Sequence, residues 1–212
     1  MKKIILTALA VCAFGFTNAQ SHQKGDMQVN IMGGLLMGSA TSQGDAAGSP
    51  KEKFSATGAQ FGANFQYGLA ESFSAGIGLE VGTAILSPKD NTYNSTSTDI
   101  STFKFNVSGR YYFLNKEKFN IYAGPSIGYT SGKDTSSAVL GSISSTTKYS
   151  GLNFGVNAGC NYFFNDHVGI IVNLGYEGNG LKSTTSEAGY PDETGKSAVS
   201  GVKVMGGLAL KF

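Results

Sequence analysis

The chain has 212 residues, enough for one domain, and 14% of them are charged, where about a quarter is usual for a soluble protein. Thirty glycines without a triplet period exclude collagen, and 41% hydrophobic residues exclude a disordered chain. The formal charge of +2 lies wholly in Lys2 and Lys3, so the rest of the chain is neutral and lacks the basic surplus that nucleic acid requires.

The first segment, MKKIILTALAVCAFGFTNAQ, reads as a secretory signal peptide. Lys2 and Lys3 precede the apolar run Ile4 to Phe16, and Thr17 and Ala19 hold the small-residue positions of a cleavage site before Gln20. The expected division is 1–19 signal peptide and 20–212 outer-membrane barrel domain. A lipid-modified Cys12 is the lesser alternative, because Val11 is bulky where a small residue is wanted. Cleavage leaves Cys160 alone, so no intramolecular disulfide forms even though the destination is oxidising.

Beyond Lys24 apolar residues recur at period two, which puts alternate side chains on one face of a strand. MQVNIMGGLLMG begins the series. In GAQFGANFQYGL one face carries Ala59, Phe61, Ala63, Phe65, Tyr67 and Leu69, and the other Gly58, Gln60, Gly62, Asn64, Gln66 and Gly68. The third segment sets Phe73, Ile77, Leu79 and Val81 against Ser74, Gly76, Gly78 and Glu80. The fourth sets Phe103, Phe105, Val107, Tyr111 and Phe113 against Lys104, Asn106, Ser108 and Arg110. The fifth sets Phe119, Ile121, Ile127 and Tyr129 against Asn120, Tyr122, Gly124 and Ser126. Pro125 lacks a ladder donor, so a bulge or local break is expected there. Asn153 to Glu177 supplies two strands parted at Asn165 to His167, and VKVMGGLALKF ends the set. Eight strands are predicted. Tight turns are expected near Ala70 to Ser72, at Asn115 to Lys118 and at Asn165 to Asp166, with long polar loops over Thr41 to Lys53, Ser87 to Asp99, Ser131 to Thr147 and Gly178 to Ser197.

Volume and charge choose between a soluble barrel and an inside-out one. The lumen of eight strands is only just wide enough for side chains to fill, and the apolar face is too bulky to enter it. The other face holds Gly, Asn, Ser and Gln with isolated charges at Glu80, Lys104, Arg110, Glu177 and Lys203. Such a face suits a packed polar lumen in which each charge needs a partner. The apolar face then meets lipid, with strands longer than the about 9–11 residues a membrane crossing requires. Outward aromatics form two girdles, Tyr67, Phe73, Tyr111, Phe113, Phe119, Tyr162, Phe164 and Phe212 near the short turns, and Phe103, Tyr129 and Tyr176 towards the long loops. The fold expected is therefore all-β, an eight-stranded antiparallel up-and-down transmembrane β-barrel after a signal peptide.

With its signal segment, loop alternation and last strand, the chain resembles the small eight-stranded outer-membrane β-barrels, the OmpA membrane domain and the opacity-type or OmpW-like proteins, in the short forms found in Bacteroidota. The resemblance implies a Gram-negative outer membrane as location, the lipid bilayer and the barrel assembly machinery as partners, and Phe212, Leu210, Leu208, Val204 and Val202 as the C-terminal assembly signal. A monomer without cofactor is implied. No segment follows Phe212, so the cell-wall anchoring domain of full-length OmpA relatives is not expected.

Candidate chemistry is thin. Cys160 shares the face of Phe154, Val156 and Tyr162 and reads as a small lipid-facing hydrophobe. His167 sits in a turn, and His22 in a terminus expected to be mobile, too few ligands for a metal. A Ser–His hydrolase needs a histidine near the long loops, and none is there. The lumenal charges are expected to form ion pairs, Glu177 opposite Lys203 and Glu80 diagonal to Lys104, with a structural role preferred over gating. Two function classes remain: a structural or surface-binding barrel acting through its long loops, towards a ligand the sequence does not name, and a narrow porin-like channel for small or hydrophobic solutes.

Overall fold

The structure, a computed structural model, describes residues 21–46, 48–89, 98–137, 144–187 and 190–212. The signal peptide with Cys12 lies outside them. Eight strands follow in order: β1 (Met27–Gly44), β2 (Glu52–Ala70), β3 (Phe73–Pro88), β4 (Thr98–Asn115), β5 (Phe119–Ser137), β6 (Ser144–Phe163), β7 (Val168–Glu187) and β8 (Glu193–Lys211). Each pairs antiparallel with its chain neighbours, and β1 closes on β8 from Gln28↔Lys211 to Gly44↔Gly195. Closure leaves no open edge, which a sheet in hydrocarbon cannot tolerate.

Period-two alternation decides the faces. Phe61, Val107, Phe154, Val156 and Leu174 point outward and are exposed, while Asn30, Gln66, Asn120 and Asn161 are buried in the lumen. The three short turns fall where expected. At the last, Asn165 Oδ1 accepts from the backbone N–H groups of His167 (2.9 Å) and Val168 (2.7 Å), an Asx turn that fixes the β6–β7 hairpin.

The expected long loops need correction in part. Two of the four, Ser131 to Thr147 and Gly178 to Ser197, are mostly strand: β5 runs to Ser137 and β6 starts at Ser144, with pairing such as Lys133↔Lys148 and Asp134↔Thr147 through the expected loop. Only 45–51, 89–97, 138–143 and 188–192 connect strands at that end. Above the hydrocarbon both faces of a sheet meet water, so the hydrophobic alternation fades while the backbone ladder and its Thr-rich β propensity continue. The local break expected at Pro125 is present on its β4 side: pairing lapses between Ser108↔Ser126 and Tyr111↔Ala123, and the register is the same on either side. Shifts of register occur at Gly68/Ala70 and Tyr112/Leu114, beside the short turns.

The lumen is layered. At the short-turn end an apolar cluster joins Met32, Tyr112, Tyr122, Phe163, Ile171, Met205 and Ala209. Glycine makes room for it: a Cβ on Gly159 would stand 2.5 Å from the Tyr122 hydroxyl. The middle layer is polar, and the long-loop end is again lined by buried Leu36, Ala40, Ala84 and Ile100.

Candidate functional site

The five lumenal charges project from β3, β4, β7 and β8 because each falls on the inward parity of its strand. Lys203 Nζ donates to Glu80 Oε1 at 2.8 Å and Oε2 at 3.0 Å, and lies 3.3 Å from Glu177 Oε2. Lys104 Nζ donates to Glu177 Oε1. Glu177 therefore bridges two lysines, and Asn179 Nδ2 also reaches it at 3.4 Å. The lysine and glutamate side chains are 5–14% exposed, so the network is a buried polar layer across the barrel.

The expected Glu177–Lys203 pair forms, but diagonally, since Glu177 faces Gly201 and Gly175 faces Lys203 in the ladder. The expected Glu80–Lys104 pair does not form. These two residues are direct ladder partners, yet Lys104 reaches Glu177 of β7 and Glu80 receives Lys203 of β8. In so narrow a lumen a lysine spans to the far wall, and there the bridging carboxylate satisfies two cations at once.

Arg110 lies one layer nearer the short turns. Its guanidinium carbon sits 4.3 Å from the centroid of the Tyr122 ring, and Nη2 donates to Asn64 Oδ1 at 3.1 Å. No carboxylate pairs with it among the described residues. Asn173 Nδ2 donates to the Tyr122 hydroxyl at 3.0 Å and holds that ring.

Below Tyr122 the N-terminal residues enter the lumen, contrary to the mobile terminus expected of His22. His22 is 3% exposed and stacks on Tyr112 with centroids 4.0 Å apart. Asn115 clasps it, accepting from His22 N–H at 3.0 Å and donating to its carbonyl at 2.6 Å. Ser21 N–H donates to the Lys116 carbonyl at 2.8 Å, and Asn120 Nδ2 donates to Ser21 Oγ at 2.9 Å. Gly25, at φ 92, makes the turn that leads into β1, a conformation glycine adopts without strain. Burial is the main influence on the His22 imidazole and holds its pKa below the ordinary 6.5, partly offset by the Phe73 and Ala70 carbonyls.

Above the ion pairs a cavity of about 230 Å³ opens in the long-loop half. Leu36, Ala40, Ala84, Leu86 and Ile100 line it, with Lys104 and Glu177 at its floor and Gln60 in its wall. Gln60 Oε1 is buried and has no partner among the described residues.

The remaining candidates keep plain roles. Cys160 is a half-buried free thiol on the outer face. His167 is exposed, its Nδ1 3.1 Å from the Lys211 carbonyl. Among the described residues no group of His, Cys, Asp and Glu is placed to hold a metal. Phe212, Leu208 and Val204 face outward and Leu210 shares their parity.

No curated sequence matches the chain. Among solved structures, the outer membrane protein OprG from Pseudomonas aeruginosa is 17% identical with a TM-score of 0.69, the match covering 92% of this chain and 99% of that one. The outer membrane protein AlkL, determined in DMPC bilayers, is 15% identical with a TM-score of 0.59, covering 94% and 95%. A major outer membrane protein from Thermus thermophilus is 14% identical with a TM-score of 0.50, covering 88% and 99%. At such identities the shared property is the fold, that of outer-membrane barrels. The family model for the outer membrane protein beta-barrel domain matches residues 6–207, and with a closed eight-stranded barrel wrapped in exposed apolar side chains, the chain belongs to that family.

Proposed function

We propose that the protein is a non-catalytic outer-membrane barrel that takes a small, largely apolar solute into the upper half of its lumen while the ion-pair layer closes the path below. The observation that carries this reading is the cavity above Lys104 and Glu177, whose wall is largely apolar by area although Thr102, Thr130 and Asn179 also line it, in a lumen whose middle is polar. Apolar cavities of about 150 Å³ hold benzene, so about 230 Å³ suits one aromatic ring or a short alkyl chain. The unpartnered Gln60 Oε1 adds one acceptor for a solute hydroxyl. Binding is thus assigned to the lumen rather than to long loops, which strand extension has shortened.

The N-terminal segment serves as the export signal, and the assembly machinery reads the alternating outward series ending in Phe212. The barrel acts as a monomer.

The test is a phenol titration of refolded protein in lipid nanodiscs, read by isotope-labelled isoleucine methyl groups. Ile100 in the cavity should shift saturably, lipid-facing Ile127 should not, and Ala84→Phe should abolish the Ile100 response. Equal responses at Ile100 and Ile127 would reduce the effect to partitioning and refute the cavity. The channel reading requires the ion-pair layer to open, and steady ion-selective conductance of the wild-type barrel in a planar bilayer would favour it instead.

A further inference from the structure

The charges of the lumen do not balance. Glu80 and Glu177 are fully engaged with Lys203 and Lys104, and at the short-turn end Asp26 lies beside Lys211 at 3.9 Å. Arg110 remains as a third buried lumenal cation, 6% exposed, with no carboxylate within ion-pair distance among the described residues. The Tyr122 ring face offers quadrupolar attraction and Asn64 one neutral acceptor, but neither carries a counter-charge. An arginine stays protonated in any protein environment, so neutralisation by deprotonation is closed to it, and a buried unpaired charge is costly.

Geometry says where compensation belongs. Arg110 Nη1 is buried without a hydrogen-bond partner among the described residues. Arg110 lines a cavity of about 60 Å³, together with Asn106, Ser108, Ser126 and Asn157. These are short polar groups able to donate to an anion once the guanidinium has drawn it in. The two carboxylates that also line this cavity are already neutralised by lysines. About 10–15 Å³ of such space suffices for one water, so the cavity admits a halide-sized ion with companion waters and is small for a large organic anion.

We propose that the barrel lumen holds a small monovalent anion of the chloride class against Arg110 Nη1, as the counter-ion that completes its polar core.

The experiment is reversible urea unfolding of the refolded full barrel in detergent, in sodium chloride replaced stepwise by sodium gluconate at constant ionic strength. With one anion bound by the folded state alone, each tenfold rise in chloride above its dissociation constant raises the folded-to-unfolded ratio about tenfold. Asn64→Asp places a carboxylate beside the guanidinium and should remove that dependence while keeping the fold. Arg110→Met should remove it by deleting the cation, and the exposed Lys133→Gln should leave it intact. A wild-type ratio equal in chloride and gluconate would overturn the proposal. So would a dependence undiminished in Asn64→Asp, which would place the anion elsewhere.

Discussion

Replacing Glu177 by glutamine removes the carboxylate that bridges two lysines. Lys104 and Lys203 side chains are 5% and 8% exposed, so bulk water replaces a lost partner poorly. Lys203 keeps Glu80 at 2.8 Å, whereas Lys104 has no other ion-pair partner among the described residues. One orphaned buried cation costs about 3–5 kcal/mol. Glu80→Gln leaves Lys203 on Glu177, so its cost is that of a weakened charged hydrogen bond, about 1.5–3 kcal/mol. The chain has no tryptophan, so the assay is urea unfolding followed by far-ultraviolet circular dichroism on barrels refolded into short-chain lipid vesicles. The double variant Lys104→Met, Glu177→Gln removes both the carboxylate and the lysine it strands, and it should recover much of the loss because neighbouring charges couple strongly. The reasoning fails if Glu177→Gln lies within about 1 kcal/mol of wild type, a loss too small for an orphaned buried charge. It also fails if the double variant is as unstable as the single one.

Three further outcomes follow from the same geometry. His22 is held neutral by burial below its ordinary pKa of 6.5, so the unfolded chain binds a proton more readily than the folded one; its contribution is complete above that value and lost as pH falls through the folded pKa. In a Cys160→Ala background, the thiol of Ser21→Cys, its rate taken relative to a fully exposed thiol at the same pH, should become more reactive as pH falls through the lowered His22 pKa, and a relative rate flat with pH would contradict the docked imidazole. Gly68→Val forces a Cβ onto the Gln23 carbonyl and the His22 ring, so it should expose the bond after Lys24 to trypsin while leaving the barrel's circular dichroism unchanged. On the outer surface Val156 is 63% exposed, and Val156→Arg should cost about 2–4 kcal/mol in lipid vesicles, the penalty of a charge on the hydrocarbon face; a loss near zero would remove that residue from the lipid belt.

What the sequence discloses and what it hides have separate physical causes. Strand number, faces and short turns follow from strict alternation, because lipid on one side and a packed lumen on the other impose opposite chemistry at every step. Charge partners do not follow, because ladder register fixes which backbones are adjacent while Lys104 and Lys203 reach across the lumen to far strands. The docked N-terminus gives no periodic signal, since Ser21 and His22 insert by hydrogen bonds to Asn115, Lys116 and Asn120 rather than by an apolar face.

The apolar lumenal layers, however, leave a mark in places where alternation breaks into doublets. Tyr111 and Tyr112, Phe163 and Phe164, and Ile170 and Ile171 each put one side chain outward and one in, and the inward members Tyr112, Phe163 and Ile171 are 1–3% exposed. At the other end Leu35 and Leu36, then Ala84 and Ile85, repeat the device around the upper cavity. An apolar doublet in a strand of this kind signals that both faces are apolar at that height. Between the doublets, where alternation is clean, lie Glu80, Lys104, Arg110, Glu177 and Lys203. The polar centre therefore lies between two levels rich in buried apolar side chains, which lower the local polarity around the ion pairs and make each of the five charges depend on the partner found for it.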